Sequence, residues 1–306
     1  MNQRKTGERE YTPLSSFKVL PVYFTTLTHR KSFTALMKYL GTVFRNFFFL
    51  QFAVKMGLKK IEIIHVDHPL DDEVPFVPEK VDIYLDFINF WIRPLSFLEK
   101  RIGRKRASGY TAEYLGIIRR CYQSASRFYR FRMSTTRRPL DCTDRRFVMI
   151  RTLDPHYLCV PSLHVSIVVL AFSYFRRVFR EIGLPEEEQA ALNAELYAGA
   201  VSIAETVLYI KQHSTNCIPA ALYMMSQLIP AMFSIEDSLE FMEHLFAESG
   251  DISGDKKELI RERLEFLFEQ LLLEGCHEDD WLEPMRRWIL KYQGCAGLAL
   301  RNTTSL

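Results

Sequence analysis

The chain has 306 residues, of which 48% are hydrophobic and 13% aromatic, enough for a sizeable core; its net charge of +3 is too small to argue for a nucleic-acid partner. Six cysteines (121, 142, 159, 217, 276 and 295) form no CxxC pair and no regular spacing, which argues against a zinc site or a disulfide framework. Reduced thiols in a cytoplasmic setting are therefore expected, and the polar first dozen residues, with no apolar run directly after them, give no signal peptide.

In chain order, residues 1–12 are polar and expected to be disordered, and 13–31, broken by Pro13 and Pro21, carry no regular element. Helical periodicity then dominates. A first long helix fits 32–57, ending near Gly57, and its aromatic run Phe44 to Phe52 suits a core or a membrane-facing side. A connection over 58–78 holds a strand-like run, Ile61 to Val66, followed by Pro69, Pro75 and Pro78. The second helix fits 79–99, with Pro94 a kink or an early stop. The basic stretch 100–109 reads as a linker, the third helix as 111–134, and a loop with Pro139 and Pro155 runs to Pro161. The fourth helix opens at Ser162 and ends near Glu181; Gly183-Leu184-Pro185 breaks the chain before helices at 186–212 and 218–233. Past Ser234 come an acidic amphipathic segment (236–249) and a strongly amphipathic helix over 255–274, with Leu259, Ile260, Leu264, Leu267, Phe268 and Leu271 on one stripe. A last helix over 279–292 carries Trp281 and Trp288, and the final residues look loose. The fold class is thus all-α, divided as 1–31, 32–235 and 236–306, with the tail expected to pack on the bundle rather than to dimerise or bind a partner.

A spanning helix needs about 20 apolar residues. Segments 36–57, 82–98 and 112–132 all carry charges, and the charge-free stretch 217–235 contains two prolines. A soluble or membrane-surface protein is favoured over an integral one. Two dense basic patches, Arg101 to Arg106 and Arg127 to Arg138, are either solvated faces or surfaces for phosphate or anionic lipid.

Three segments carry the chemistry. In Pro161-Ser162-Leu163-His164, proline and serine open a helix whose unpaired first-turn N–H groups, with the Ser162 hydroxyl, form an anion site, and His164 stands in that turn. In Tyr209-Ile210-Lys211-Gln212-His213, a second histidine follows another helix with a lysine beside it. Arg138-Pro139 lies upstream. Two imidazoles among cations are what phosphoryl transfer without a metal requires. Elsewhere, His65, Asp67 and His68 match no standard metal spacing, and His156 near Asp154 reads as a loop residue.

These segments resemble the type 2 phosphatidic acid phosphatase and haloperoxidase-like superfamily, in particular its inositol-phosphorylceramide synthase-like branch. The family's Lys, six residues, Arg-Pro block is matched at Arg138-Pro139, with Phe131 at the lysine position between Arg130 and Arg132. Its Pro-Ser-Gly-His block is matched by Pro161-Ser162-Leu163-His164. In its Ser-Arg, five residues, His, three residues, Asp block, Thr206-Val207 replaces Ser-Arg, His213 matches, and Cys217 stands for the aspartate. Val74-Pro75-Phe76-Val77-Pro78 is similar to the family's lead into its second helix. The resemblance spans about 32–235 and implies a six-helix bundle of that type with a C-terminal helical extension. It implies that His213 attacks phosphorus, that His164 protonates the leaving alkoxide, and that Arg138, Ser162, Lys211, Arg130 and Arg132 hold the phosphoryl oxygens, with no metal or organic cofactor. The substrate would be a phosphorylated small molecule or lipid, taken at a membrane surface. Cys217 occupies the orienting position but is a poor acceptor, with Asn216 a neighbour able to orient without charge; on this reading Cys217→Asp should raise activity. The other readings are a non-catalytic helical protein that binds phosphate, lipid or a partner, and an integral member of the same family.

Overall fold

A computed structural model of the chain describes residues 12–139 and 142–292, so the expectations for the first eleven and last fourteen residues lie outside the described residues. The protein is mostly helical, as the periodicity requires. Helix α1 (Leu20–Thr28) lies in the stretch expected to be irregular: Pro21 falls in its first turn, where a missing N–H costs nothing, and Leu14, Phe17 and Val22 are buried around it. Helix α2 (Arg30–Val43) passes through a π turn (Phe44–Phe48) into α3 (Phe49–Lys55), ending before Gly57, whose φ of 75° suits glycine. Strand β1 (Ile63–His65) follows, then α4 (Val81–Leu85) and α5 (Phe87–Ile102), which continues through Pro94.

The basic stretch read as a linker is helical. Gly103, with φ of 81°, turns the chain directly into α6 (Arg104–Phe131), and Arg101 is held by Glu188 at 2.9 Å. Strand β2 (Met133–Thr135) pairs in parallel with β1, Ile64 opposite Ser134. The expected loop to Pro161 contains a further helix, α7 (Arg145–Leu153), capped by the Asp144 side chain. Helix α8 (Leu163–Glu181) starts where its proline and serine signal places it, with Ser162 as N-cap accepting from the Val165 N–H. Helices α9 (Glu186–Tyr209), α10 (Cys217–Leu228), α11 (Ile235–His244), α12 (Gly254–Gly275) and α13 (Leu282–Lys291) complete the chain.

Two helices form the centre. α8 is apolar on nearly every side, from Val165 to Phe179, and α10 is buried from Cys217 to Ser226; α5, α6, α9 and α12 pack around them. The tail belongs to the same core: Ile260, Leu264, Leu267, Phe268 and Leu271 of α12, with Met285 and Ile289 of α13, join the cluster that begins at Leu14. Leu259, expected on that stripe, is half exposed. Polar ties reinforce the contact: Arg263 donates to Asn216 Oδ1 at 2.6 Å, and the Tyr292 hydroxyl donates to the Asp67 carbonyl at 2.7 Å.

Candidate active site

The ends of α8 and α9 meet between the central helices. The chain leaves α9 at Tyr209 and turns back through Lys211, which has a positive φ of 54°, so that the Gln212 and His213 amides both bond to the Val207 carbonyl. Across from it the Ser162 amide donates to the Cys217 carbonyl at 3.4 Å, and the Tyr129 hydroxyl of α6 donates to the Pro161 carbonyl at 2.6 Å. These bonds bring two stretches 49 residues apart in sequence together: the rings of His164 and His213 have centroids 5.6 Å apart, edge to face.

His213 is buried and polarised along one axis. Its Nδ1 lies 3.2 Å from the Cys159 carbonyl, an acceptor only, so Nδ1 carries the proton and Nε2 keeps its lone pair. Nε2 lies 3.3 Å from the Ser162 hydroxyl. His164 lies against the rings of Tyr84 and Phe87, at 4.6 and 4.8 Å. Burial pushes the His164 pKa down to about 4, with Asp154 opposing and Arg138 adding to the effect. Burial also pushes His213 well below the usual histidine value; the neighbouring His164 adds to this and the Cys159 carbonyl opposes it.

The two histidines line a cavity of about 20 Å³ with Phe47, Tyr84, Asp154, His156, Leu158, Cys159, Leu163 and Gln212. That is room for a water molecule or two, and too little for a phosphoryl group without movement of the wall. Arg138 borders the cavity through Asp154: its guanidinium reaches the Asp154 carboxylate at 3.3 Å and its carbonyl at 3.2 Å. Among the described residues its Nε is buried without a partner, as is the Gln212 Oε1 on the cavity wall. Buried polar atoms left bare are uncommon, and these two lie at or beside the cavity.

The sequence reading missed several participants. His156 is buried on the cavity wall, with a positive φ of 68° and its Nε2 2.7 Å from the Thr136 hydroxyl. Burial, with Arg138 next in weight, keeps it neutral, its pKa well below the usual value. The loop that carries His156 and the Cys159 carbonyl is held on β2 by three bonds: Ser134 N to Tyr157 O, Cys159 N to Ser134 O, and Val160 N to Ser134 Oγ. The Gln51 side chain of α3 holds the Tyr157 amide from the other side at 2.9 Å. The acceptor that orients His213 is thus a backbone carbonyl, which leaves no residue signature; only the crowding of Asp154, His156 and Cys159 between the matched blocks hinted at that loop.

Three residues expected at the phosphate, Lys211, Arg130 and Arg132, lie elsewhere, and Cys217, expected to orient His213, does not face its Nδ1. Lys211 turns away: its ammonium donates to the carbonyls of Asp71 and Val74, pinning the loop before α4. Arg130, on the outer side of the last turn of α6, donates to Asn46 Oδ1 at 2.8 Å, and Arg132 pairs with Glu62 at 2.9 Å. Cys217 is fully buried in the first turn of α10, where its sulfur accepts from the Ser214 amide at 3.3 Å instead of facing His213 Nδ1. Asn216 is likewise engaged, with Val66, Tyr292 and Arg263. Among the described residues no group of histidines, cysteines and carboxylates is arranged to hold a metal ion.

Two outcomes follow from these corrections. Lys211→Met should lower stability by about 1.5–3 kcal/mol, the worth of hydrogen bonds from a charged donor, while turnover stays within a few-fold; urea melts beside rate measurements check both. Cys217→Asp, expected from the motif resemblance to raise activity, should instead fail to do so and destabilise by roughly 3 kcal/mol, because it buries a carboxylate with no cation beside it. A rise in turnover with an unchanged melt would contradict this placement.

Comparisons with protein-family models, with curated proteins and with solved structures find no match to this chain.

Proposed function

We propose that the chain is a phosphatase or phosphotransferase, built as a six-helix bundle of the phosphatidic acid phosphatase and haloperoxidase kind, which takes a lipid phosphate ester through a phosphohistidine on His213. One observation carries this reading: the His213 imidazole, fixed through Nδ1 by the Cys159 carbonyl and with its Nε2 3.3 Å from the Ser162 hydroxyl, lines a cavity together with His164, and Arg138 borders that cavity through Asp154. Nε2 attacks phosphorus and the ester P–O bond breaks. His164 delivers a proton to the departing alkoxide, then takes one from the water or acceptor hydroxyl that opens the P–N bond. The bare Arg138 Nε, the Ser162 hydroxyl and the first-turn amides of α8 face the charge on the phosphoryl oxygens. The apolar wall of Phe47, Tyr84, Leu158 and Leu163 suits the chain of a lipid more than a sugar.

The low pKa of His164 in the empty cavity fits this role once substrate is considered. A phosphate dianion beside the ring favours the imidazolium and raises its pKa, so the acid is charged by its own substrate. The test is turnover of a chromogenic phosphomonoester and of phosphatidate by the purified chain, beside His213→Ala. Equal rates for the two proteins would remove His213 from the mechanism.

A second reading, a non-catalytic phosphate binder, is favoured by the thiol at 217 and by the missing carboxylate on His213. Tight vanadate binding with no turnover of either substrate would select it.

A further inference from the structure

The first helices carry a surface that the cavity chemistry does not use. On α2, Phe33, Met37, Leu40 and Phe44 recur at i, i+4, i+7 and i+11, on one stripe, and all are exposed, Phe44 to 66%. The opposite face, with Ser32, Leu36 and Tyr39, packs inward, Tyr39 edge-on to Tyr122 of α6. On α1, Leu20, Phe24 and Leu27 repeat the pattern, with Leu20 exposed to 74% and Phe24 to 61%. Scattered apolar residues on a surface need no explanation, but a continuous row of large ones does.

Charge says what covers it. Residues 11–61 hold eight cations (Lys18, Arg30, Lys31, Lys38, Arg45, Lys55, Lys59 and Lys60) and no aspartate or glutamate, while carboxylates outnumber cations in the rest of the chain. Arg30 stands at the edge of the apolar stripe, and Arg45, Lys38 and Lys31 follow it farther round the helix on the same side, all exposed. Among the described residues no helix is long and apolar enough to cross a membrane. An apolar row edged by cations is the pattern of a helix that lies in the interface of an anionic bilayer. The stripe also runs into the cavity wall: in the π turn Phe44 and Phe48 are exposed while Phe47, between them, lines the space beside His164 and His213.

We propose that the face of α1, α2 and the π turn is a docking surface for an anionic lipid bilayer, on which the protein lies without crossing. The bilayer receives Phe33, Met37, Leu40 and Phe44, and its headgroups receive the cations alongside. This surface stands apart from the reaction at His213, because binding is read without turnover.

The test is co-sedimentation of the full chain with phosphatidylcholine vesicles and with vesicles that also contain phosphatidylglycerol. Binding to the anionic vesicles should be at least about tenfold tighter and should weaken as salt is raised. Phe33→Ser, Met37→Ser, Leu40→Ser and Phe44→Ser combined should weaken it by roughly a hundredfold or more. Lys31→Glu, Lys38→Glu and Arg45→Glu combined should abolish the preference between the two vesicles. A wild-type chain left in the supernatant with both vesicles overturns the proposal whatever the variants do. So does an apolar variant that binds as the wild type does, or a wild-type dimer that this variant turns into a monomer, which would assign the face to a second copy of the chain.

Discussion

His213→Ala is expected to lower turnover of a chromogenic phosphomonoester by roughly 10⁴-fold or more, and His164→Ala to leave phosphorylated protein behind. On the proposed mechanism the two losses differ in kind, because the histidines would act at different bonds. Without His213 no Nε2 reaches phosphorus, and the Ser162 hydroxyl, which has only that ring to activate it, cannot replace it. Without His164 a good leaving group such as nitrophenolate still departs unprotonated, so the phosphohistidine forms; the water that should cleave it then lacks its base, and the intermediate accumulates. A quench in alkaline denaturant followed by intact-mass measurement should find one added phosphoryl group on His164→Ala, lost on later acid treatment, and none on His213→Ala or on the double variant. An alkoxide leaving group separates the roles again, since His164→Ala should then fail before the intermediate. A phosphoryl group found on His213→Ala would place the nucleophile elsewhere.

The fold was readable where side chains state their own geometry. Pro161-Ser162 announced the start of α8 through its cap, and the alternation of apolar and charged residues over 255–274 announced α12. It failed where a residue's meaning depended on its neighbours. Pro13 and Pro21 looked like breaks, yet Pro21 begins α1. The cations at 101–106 looked like a solvated linker, yet Gly103 joins two helices almost without a gap. The α7 segment is short and one-third basic, so its apolar face (Phe147 and Ile150) was too small a signal beside the prolines around it.

The site divides the same way. His164, His213, Ser162 and Arg138 were legible because type and spacing carry their chemistry, and the structure gathers them at or beside one cavity. Lys211 was misplaced because its left-handed backbone swings the side chain toward Asp71 and Val74, a turn that no spacing rule foretells. The Cys159 carbonyl was invisible in principle, being an atom every residue has. A carbonyl fixes the tautomer of His213 where the resembled family uses an aspartate, though without the charge that would steady an imidazolium.

Acidification from pH 7 toward pH 4 is expected to destabilise the fold steeply, and the three buried histidines are expected to account for much of the slope. His156, His164 and His213 are all held neutral by burial, their pKa values below the ordinary 6.5, that of His164 at about 4. In the unfolded chain each takes a proton as the pH falls through about 6.5, while the folded protein refuses it. The unfolded state then binds more protons, so stability falls as pH falls, until each folded pKa is reached. One such group contributes about 1.4 kcal/mol per pH unit within its window, roughly 3 kcal/mol in all for His164, and three together about 4 kcal/mol per unit. A typical fold has only about 5–15 kcal/mol to lose. Buried carboxyls act in the opposite sense: burial raises the pKa of Asp71, Glu99 and Glu205, which take protons more readily when folded and so gain stability as the pH drops. The share of these three rings is measured by comparing urea melts of the wild type with those of a variant carrying His156→Gln, His164→Gln and His213→Gln; His68, whose pKa burial also lowers to about 4, is common to both. The variant is expected to be less stable at pH 7, where its packing is worse, and to have the flatter pH dependence between pH 6.5 and 4. Parallel curves over that window would mean that the three rings titrate in the folded protein as they do in water, and that the cavity is open to solvent. Phosphate or vanadate should reduce the acid sensitivity of the wild type, because a bound oxyanion lets His164 take its proton without unfolding.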